Sequence, residues 1–320
     1  MYKVVSLFAG CGGSDLGILG DFEYNKEKYI KLPYKIIYAL DIDQKALETH
    51  SLNFKGNKTK CGDICNIESK EIPDCDIIIG GFPCQSFSTV NPTKDPFDDR
   101  ANLYKQMVRI IKDKQPKAFI AENVKGLLTL RGGEIFKKVY KAFEDAGYIL
   151  TYQLLNAADY GIPQKRERVI IVGIRKDLLK QYIFPKATNI KNWVPLSVAI
   201  ENLAIEDKKY YFSERAVLGM KNAKPNMKRG LWQRLDEPCL TVTSHLAKVS
   251  LNSRDPVLLV DSEKELYRRF TPREAARIQS FPDSFKFAGS ESNAYRQIGN
   301  AVPPVLFWHI AKNLAELLEE

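Results

Sequence analysis

Four side chains in this sequence could act on one substrate: the thiol of Cys84 in "GGFPCQSFS", the carboxyl of Glu122 in "AENV", and the guanidinium groups of Arg166 and Arg168 in "QKRERV". A thiol adds to an electrophile as its thiolate, and it normally needs a neighbouring base such as histidine. His50, His245 and His309 are scattered, and none falls beside a strand end bordering the same crevice. The pattern argues against a cysteine-histidine hydrolase. It leaves an acid and a basic pair as the partners of Cys84.

The elements that must position these groups are legible as an alternation. Short β-branched runs, "KVVSLF", "KIIYALD", "CDIIIGG", "KAFIAEN" and "RVIIVGI", are separated by helix-patterned stretches such as "DQKALETHSLNF" and "ANLYKQMVRIIKDK". This is the strand-helix-strand rhythm of a parallel sheet covered on both faces, an α/β fold. Open parallel sheets bind ligands at the carboxyl ends of their strands, where Pro83, Cys84 and Glu122 fall. The rhythm stops after about residue 176, and prolines at 185, 195, 225, 238 and 256 break the chain into irregular pieces. A helical pattern returns at "TPREAARIQSF", and the chain ends in an amphipathic helix, "PPVLFWHIAKNLAELLEE".

A glycine-rich turn, "LFAGCGGSDLG", follows the first strand and precedes a helix. Gly10, Gly12 and Gly13 stand where main chain must come close to a ligand. Asp41 ends the second strand, where a carboxylate can take both hydroxyls of a ribose, and Asp63 in "CGDI" can accept from an adenine amino group. Together they read as an adenosine site. They do not separate a nicotinamide cofactor from S-adenosylmethionine, although the doubled glycine leans towards the latter.

At 320 residues the chain can bury a sizeable core, and its formal net charge of +9 suits a polyanionic partner. No apolar stretch approaches roughly 18 residues. Tyr2 and Lys3 lead straight into strand pattern, so a cytosolic protein with reduced thiols is expected. Cys11, Cys65, Cys75 and Cys239 read as small buried hydrophobes. The pair Cys61 and Cys65 lacks a second metal-binding element, and no metal is expected.

In family order, the sequence resembles the DNA (cytosine-5) methyltransferases in their compact bacterial form. The resemblance covers nearly the whole chain. It is carried by "LFAGCGG", "GGFPCQSFS", "ENVKG", "QKRERV", "TPREAARIQSFPD" and "YRQIGNAVPP". It implies a Rossmann-like S-adenosylmethionine-dependent methyltransferase fold with a smaller, irregular DNA-recognition domain. The catalytic part would span residues 1-185 and 285-320, and the recognition part residues 186-284. Cys84 would add to C6 of a flipped-out cytosine, making C5 a carbon that can attack the methyl sulfonium. Glu122 would hold a proton against N3, a task that favours a carboxyl in a water-excluded site. Arg168 would bind O2 and orient Glu122, with Asn123 and Arg166 in support.

The same resemblance places Phe8, Ala9 and the glycine loop on the methionine part of S-adenosylmethionine, which leaves as S-adenosylhomocysteine. Asp41 would hold the ribose, Ile42 and Ile64 the adenine faces, and Asp63 the amino group. Pro83, Leu103, Asn300, Ala301 and Val302 would complete the wall. Asp41 stands where the family more often has Glu, and Ile42 replaces a frequently bulkier residue.

Duplex DNA is the implied partner, and the cytosine must leave the stack to be reached. Residues 85-100 would form a lid, with Gln85 and Ser88 near the DNA. Arg229, Arg234, Thr241, Thr243 and Lys248 would meet bases and phosphates. The resemblance implies a monomer in the bacterial cytosol without a membrane or obligate protein partner. A restriction endonuclease would be its genetic counterpart. Transfer-RNA methylation is the nearest rival, but the Cys-Phe-Thr signature expected there is absent. A nicotinamide-dependent oxidoreductase and a catalytically silent DNA-binding regulator leave the Cys84, Glu122 and Arg168 set unexplained.

Overall fold

A computed structural model describes residues 1-83, 103-190, 192-222, 232-248 and 256-319. Its centre is a seven-stranded sheet. In chain order the strands are β1 (Tyr2–Leu7), β2 (Tyr34–Asp41), β3 (Lys58–Cys61), β4 (Ile77–Gly80), β5 (Ala118–Val124), β6 (Tyr148–Asn156) and β7 (Glu167–Arg175). Their spatial order is β3-β2-β1-β4-β5-β7-β6. The first five are parallel, while β7 runs antiparallel to both β5 and β6.

The antiparallel direction of β7 departs from the all-parallel sheet that the sequence rhythm suggests. It follows from the connection: β6 runs back through a short turn at Ala157–Tyr160 into β7, with no crossover helix between them. Antiparallel neighbours need only a short link, whereas parallel ones need a crossover.

The strands alternate their side chains between two cores. Ile77 and Ile79 of β4 face one core with Val4, Ile120, Ile170 and Val172. Ile78 faces the other, with Val5, Leu7, Phe119, Val169 and Ile171. All three β4 isoleucines are fully buried, as expected of a central strand covered on both faces.

Helices α1 (Gly13–Leu19), α2 (Gln44–Asn53), α3 (Leu103–Lys114) and α4 (Glu134–Asp145) link the strands. In α4, Ile135, Val139 and Phe143 recur every four residues and form the buried stripe.

Beyond β7 the elements shorten to α5 (Glu214–Lys221), α6 (Pro272–Ile278) and several two- to four-residue strands. Gln164–Lys165 pairs in parallel with Cys239–Leu240, and Leu258–Asp261 pairs with Leu266–Arg268. Thr271, Pro272 and Glu274 start α6 through a reciprocal capping box with proline in the first turn. Helices α7 (Glu291–Asn300) and α8 (Pro304–Glu319) close the chain, and α8 returns to pack its Val305, Leu306 and Ile310 into the core beside Ile18 of α1.

A third core joins Cys11 and Phe54 to Leu196, Val242, Phe270, Ala275, Phe281 and Ile298. It takes residues from both sides of the boundary expected at 285. Cys11 and Cys239 are buried and Cys75 is half-buried. Cys65, expected inside, is exposed because the turn Ile64–Asn66 directs Ile64 inward in its place.

Candidate active site

The glycine turn after β1 bends through left-handed backbone three times, at Phe8 (φ 55°), Gly10 (φ 55°) and Gly12 (φ 93°). That conformation is costly for an aromatic residue, on the order of 1–3 kcal/mol. The glycines have different reasons to be small. A Cβ on Gly12 would stand 2.3 Å from the Phe54 ring, and one on Gly13 would stand 2.4 Å from the Val302 carbonyl oxygen. A Cβ on Gly10 would meet nothing within 4 Å. Gly12 and Gly13 let the protein close on itself, whereas Gly10 borders open space.

Asp41 lies against that space. Its Oδ2 accepts from the Gly10 N–H at 2.7 Å and its Oδ1 from the Asp43 N–H at 2.8 Å. Burial pushes its carboxyl above the usual range, and the two N–H groups pull it back. Asp63 caps the turn Ile64–Asn66 by accepting from the Cys65 N–H. Ile64 is buried, but Ile42 is 70% exposed. Leu103 is half-buried at the start of α3, Ala9, Ala301 and Val302 are buried, and Asn300 is exposed. No group of His, Cys, Asp and Glu able to hold a metal occurs among the described residues.

Glu122 and Arg168 meet because β7 is antiparallel. Its register sets Arg168 opposite Val124 and Ile170 opposite Glu122, so the start of β7 stands beside the end of β5. Arg168 Nε reaches Glu122 Oε1 at 2.8 Å, with the side chains only 12% and 15% exposed. Arg168 also donates to the Glu167 carbonyl at 2.7 Å, which fixes the guanidinium plane. A Cβ on Gly81 would stand 2.9 Å from Glu122 Oε2, so only glycine leaves this carboxylate its room. Asn123 Nδ2 donates to the Phe82 carbonyl at 2.9 Å and ties the segment after β4 to β5. That segment reaches Pro83. Cys84, Gln85, Ser88, Arg229 and the side chain of Lys248 lie outside the described residues.

Arg166 is placed elsewhere. It is buried, and its guanidinium donates to the carbonyls of Val242, Gly299 and Ala301, each at 3.0 Å. Burial, with the charge of Arg168, pushes it well below the ordinary guanidinium value. It binds the end of α7 to the irregular region and makes no hydrogen bond to Glu122.

Beside Arg166, Gln164 accepts from the Val242 N–H and donates to the Ile278 carbonyl and to Gln279 Oε1. Gln164 opens the motif "QKRERV", but the sequence assigns it no role. Its burial is the missing signal. Thr241 donates to the Lys165 carbonyl, Thr243 accepts from the His245 N–H, and Arg234 is exposed and paired with Asp236 and Glu237.

The model of the family described as C-5 cytosine-specific DNA methylase matches residues 2–316. The Type II methyltransferase M.FnuDI of Fusobacterium nucleatum is 37% identical, over 99% of this chain and 95% of its own. The Type II methyltransferase M.NgoPII of Neisseria gonorrhoeae is 34% identical, over 99% and 96%. Among solved structures, a DNA modification methyltransferase encoded within an Escherichia coli prophage superposes with a TM-score of 0.78 at 24% identity, covering all of both chains. A DNMT2 of Spodoptera frugiperda superposes with a TM-score of 0.76 at 20% identity, over 98% and 99%. At those identities the two structures speak for the fold.

Proposed function

Because the chain belongs to the C-5 cytosine-specific DNA methylase family, we propose that the Glu122–Arg168 pair is the group that activates the cytosine. The protein is a DNA cytosine-5 methyltransferase of the restriction-modification kind. The pair carries the assignment of residues: a carboxylate and a guanidinium 2.8 Å apart, nearly buried, beside the segment that leads to Cys84.

C5 of cytosine is a poor nucleophile. The thiolate of Cys84 adds to C6, and the ring electrons move so that C5 becomes the attacking carbon. Glu122 holds a proton at N3 and draws density from the ring, while Arg168 binds O2 and keeps Glu122 in place. Asn123 supports this geometry by holding the Phe82 carbonyl against β5. Once C5 carries the methyl group, a base removes the C5 proton and the thiolate leaves, restoring the aromatic ring. Arg166 acts behind this site as a clamp and does not touch the base.

Methyltransferases of this family draw the methyl group from S-adenosylmethionine, which supplies an electrophilic carbon when bound. The residues fit such a group. Gly10 opens the space, and Phe8 and Ala9 line it with Gly12 and Gly13 behind. Asp41 would take the ribose hydroxyls, exposed Ile42 would offer apolar surface to the adenine, and Asp63 would meet the amino group. Pro83, Leu103 and Asn300 to Val302 form the far wall, while Ile64 supports the turn from the core.

Residues 186-284 would read the duplex, with Arg229, Arg234, Thr241, Thr243, Lys248, Gln85 and Ser88 at the DNA, and residues 1-185 with 285-320 would catalyse. Among the described residues no helix is long and apolar enough to cross a membrane. We place the enzyme in the cytoplasm as a monomer, with an endonuclease as its genetic counterpart.

Tritiated methyl transfer to duplex DNA and to transfer RNA tests the substrate. Incorporation into duplex DNA is expected, and incorporation into RNA alone overturns the reading. Cys84→Ala is expected to abolish transfer while S-adenosylhomocysteine and DNA still bind. Appreciable turnover by that variant removes Cys84 from its role.

A further inference from the structure

Below the glycine turn lies a buried polar network that the reaction does not use. Asp15, in the first turn of α1, is fully buried. Its Oδ2 accepts from the hydroxyls of Ser6 at 2.9 Å and Ser14 at 3.4 Å, and its Oδ1 lies 3.2 Å from Nε2 of His50. The side chains of Asp15 and His50 are both inaccessible to solvent. On the other side of the ring the Asn57 amide Nδ2 stands 3.4 Å from His50 Nδ1, an arrangement met by the tautomer that carries its hydrogen on Nε2, towards Asp15.

The His50 ring also packs on Phe54, with centroids 4.5 Å apart. Its Cδ2 would lie 3.0 Å from a Cβ on Gly12. Thus one residue of α2 touches the glycine turn both directly and through Asp15.

The residue before it reaches the opposite wall. Thr49, also fully buried, donates to Gln297 Oε1 at 2.6 Å and accepts from the Ala288 N–H at 2.7 Å. Gln297 lies in α7, three residues before Asn300, and its amide donates to the carbonyls of Lys45 and Ala288. Its own carbonyl accepts from Cys11 Sγ of the glycine turn. At its other end, α2 starts on Asp43, whose N–H holds Asp41.

We propose that Thr49 and His50 are positioning residues that fix the two walls of the cofactor cradle relative to each other. Through Asp15, His50 sets the glycine turn. Through Gln297, Thr49 sets the α7 end that carries Asn300 to Val302. Neighbours on one helix cannot move independently, so the turn, Asp41 and the α7 wall move as one body. The inference rests on reading that cradle as the S-adenosylmethionine site. Loss of either contact should weaken cofactor binding and spare the chemistry, because neither residue approaches Glu122 or Arg168.

Calorimetric titration of the full chain with S-adenosylhomocysteine tests this. His50→Phe and Thr49→Val should each raise Kd by about tenfold, the effect of an unmet buried hydrogen-bond partner. His50→Gln and Thr49→Ser, which keep a donor, should restore most of the affinity. At saturating cofactor, kcat and the KM for DNA should stay within about twofold of the parent. Unchanged Kd in both truncated variants, folded by thermal melt, overturns the proposal, as does a fall in kcat with Kd intact. Should His50→Phe or Thr49→Val not fold, Ser6→Ala carries the test by removing one donor from Asp15. It should bind about threefold more weakly, and unchanged binding overturns the proposal. Asp41→Ala separates the two levels. If it binds like the parent, the cofactor site itself is misplaced; if it is weakened while the α2 variants are not, only the role of α2 fails.

Discussion

Glu122, nearly buried in the sheet, and Arg268, fully buried in the irregular region, each face an opposite charge, but their surroundings hold them by different means. Glu122 is set by strand register: β5 and β7 are paired along their length, and Arg168 arrives opposite it as a consequence. Arg268 ends a three-residue strand and is held by its own guanidinium. That group donates to the carbonyls of Leu203, Asn202 and Arg269 and to both oxygens of Glu274. Arg166 and Gln164 do the same at the seam between the regions. Where repeating main-chain bonds run out, buried polar side chains take over the carbonyls and N–H groups that would otherwise be unmet. Regular pairing makes a stiff floor for chemistry. Side-chain clamps hold segments whose backbone follows no repeating pattern.

This difference can be probed from its largest expected consequence downward. Glu122→Gln should leave the sheet and cofactor binding intact yet slow methyl transfer by about 100- to 10,000-fold, the range of a lost proton-transfer group. Single-turnover transfer to duplex DNA measures it. Glu274→Gln should lower unfolding free energy by about 3–5 kcal/mol, because Arg268 is left as an uncompensated buried charge. The double variant Arg268→Met with Glu274→Leu should recover much of that loss in urea titration. If the single variant is nearly neutral, the clamp is not what holds this segment.

Gln164→Ala should cost about 1–3 kcal/mol through its unmet buried partners. Limited proteolysis should then cut first beyond residue 190, before the sheet. Arg234→Ala, which loses only an exposed pair with Asp236 and Glu237, should change stability by less than about 0.5 kcal/mol. If Arg234 turns from these acids to a phosphate in the complex, the slope of log affinity against log salt should fall by about one.

Several of the candidate site residues were legible in the sequence. Asp41 ends the apolar run "KIIYALD" and Glu122 stands next to last in "KAFIAEN", so these two strand ends could be read from composition, whereas Asp63 follows the polar run "KTKCG". The helical pattern at "TPREAARIQSF" was likewise legible, and α6 runs from Pro272 to Ile278. Arg166 was not legible in the same way. It sits two residues from Arg168 in one motif, yet its side chain enters the protein while that of Arg168 meets Glu122. The burial of His50 was equally hidden, since a lone histidine on a weakly amphipathic helix gives no sign of a partner 35 residues away.

The sequence by itself determined which chemical groups exist, their order along the chain, and the strand-and-turn pattern that puts many of them at one edge. These are local properties, fixed by side-chain type and by the period of apolar residues. Tertiary structure alone decided that β7 inserts between β5 and β6, that Arg168 therefore faces Glu122, and that Arg166 and Gln164 bind carbonyls more than 70 residues away. Strand order and long-range contacts depend on how whole elements pack, and no local periodicity encodes that choice.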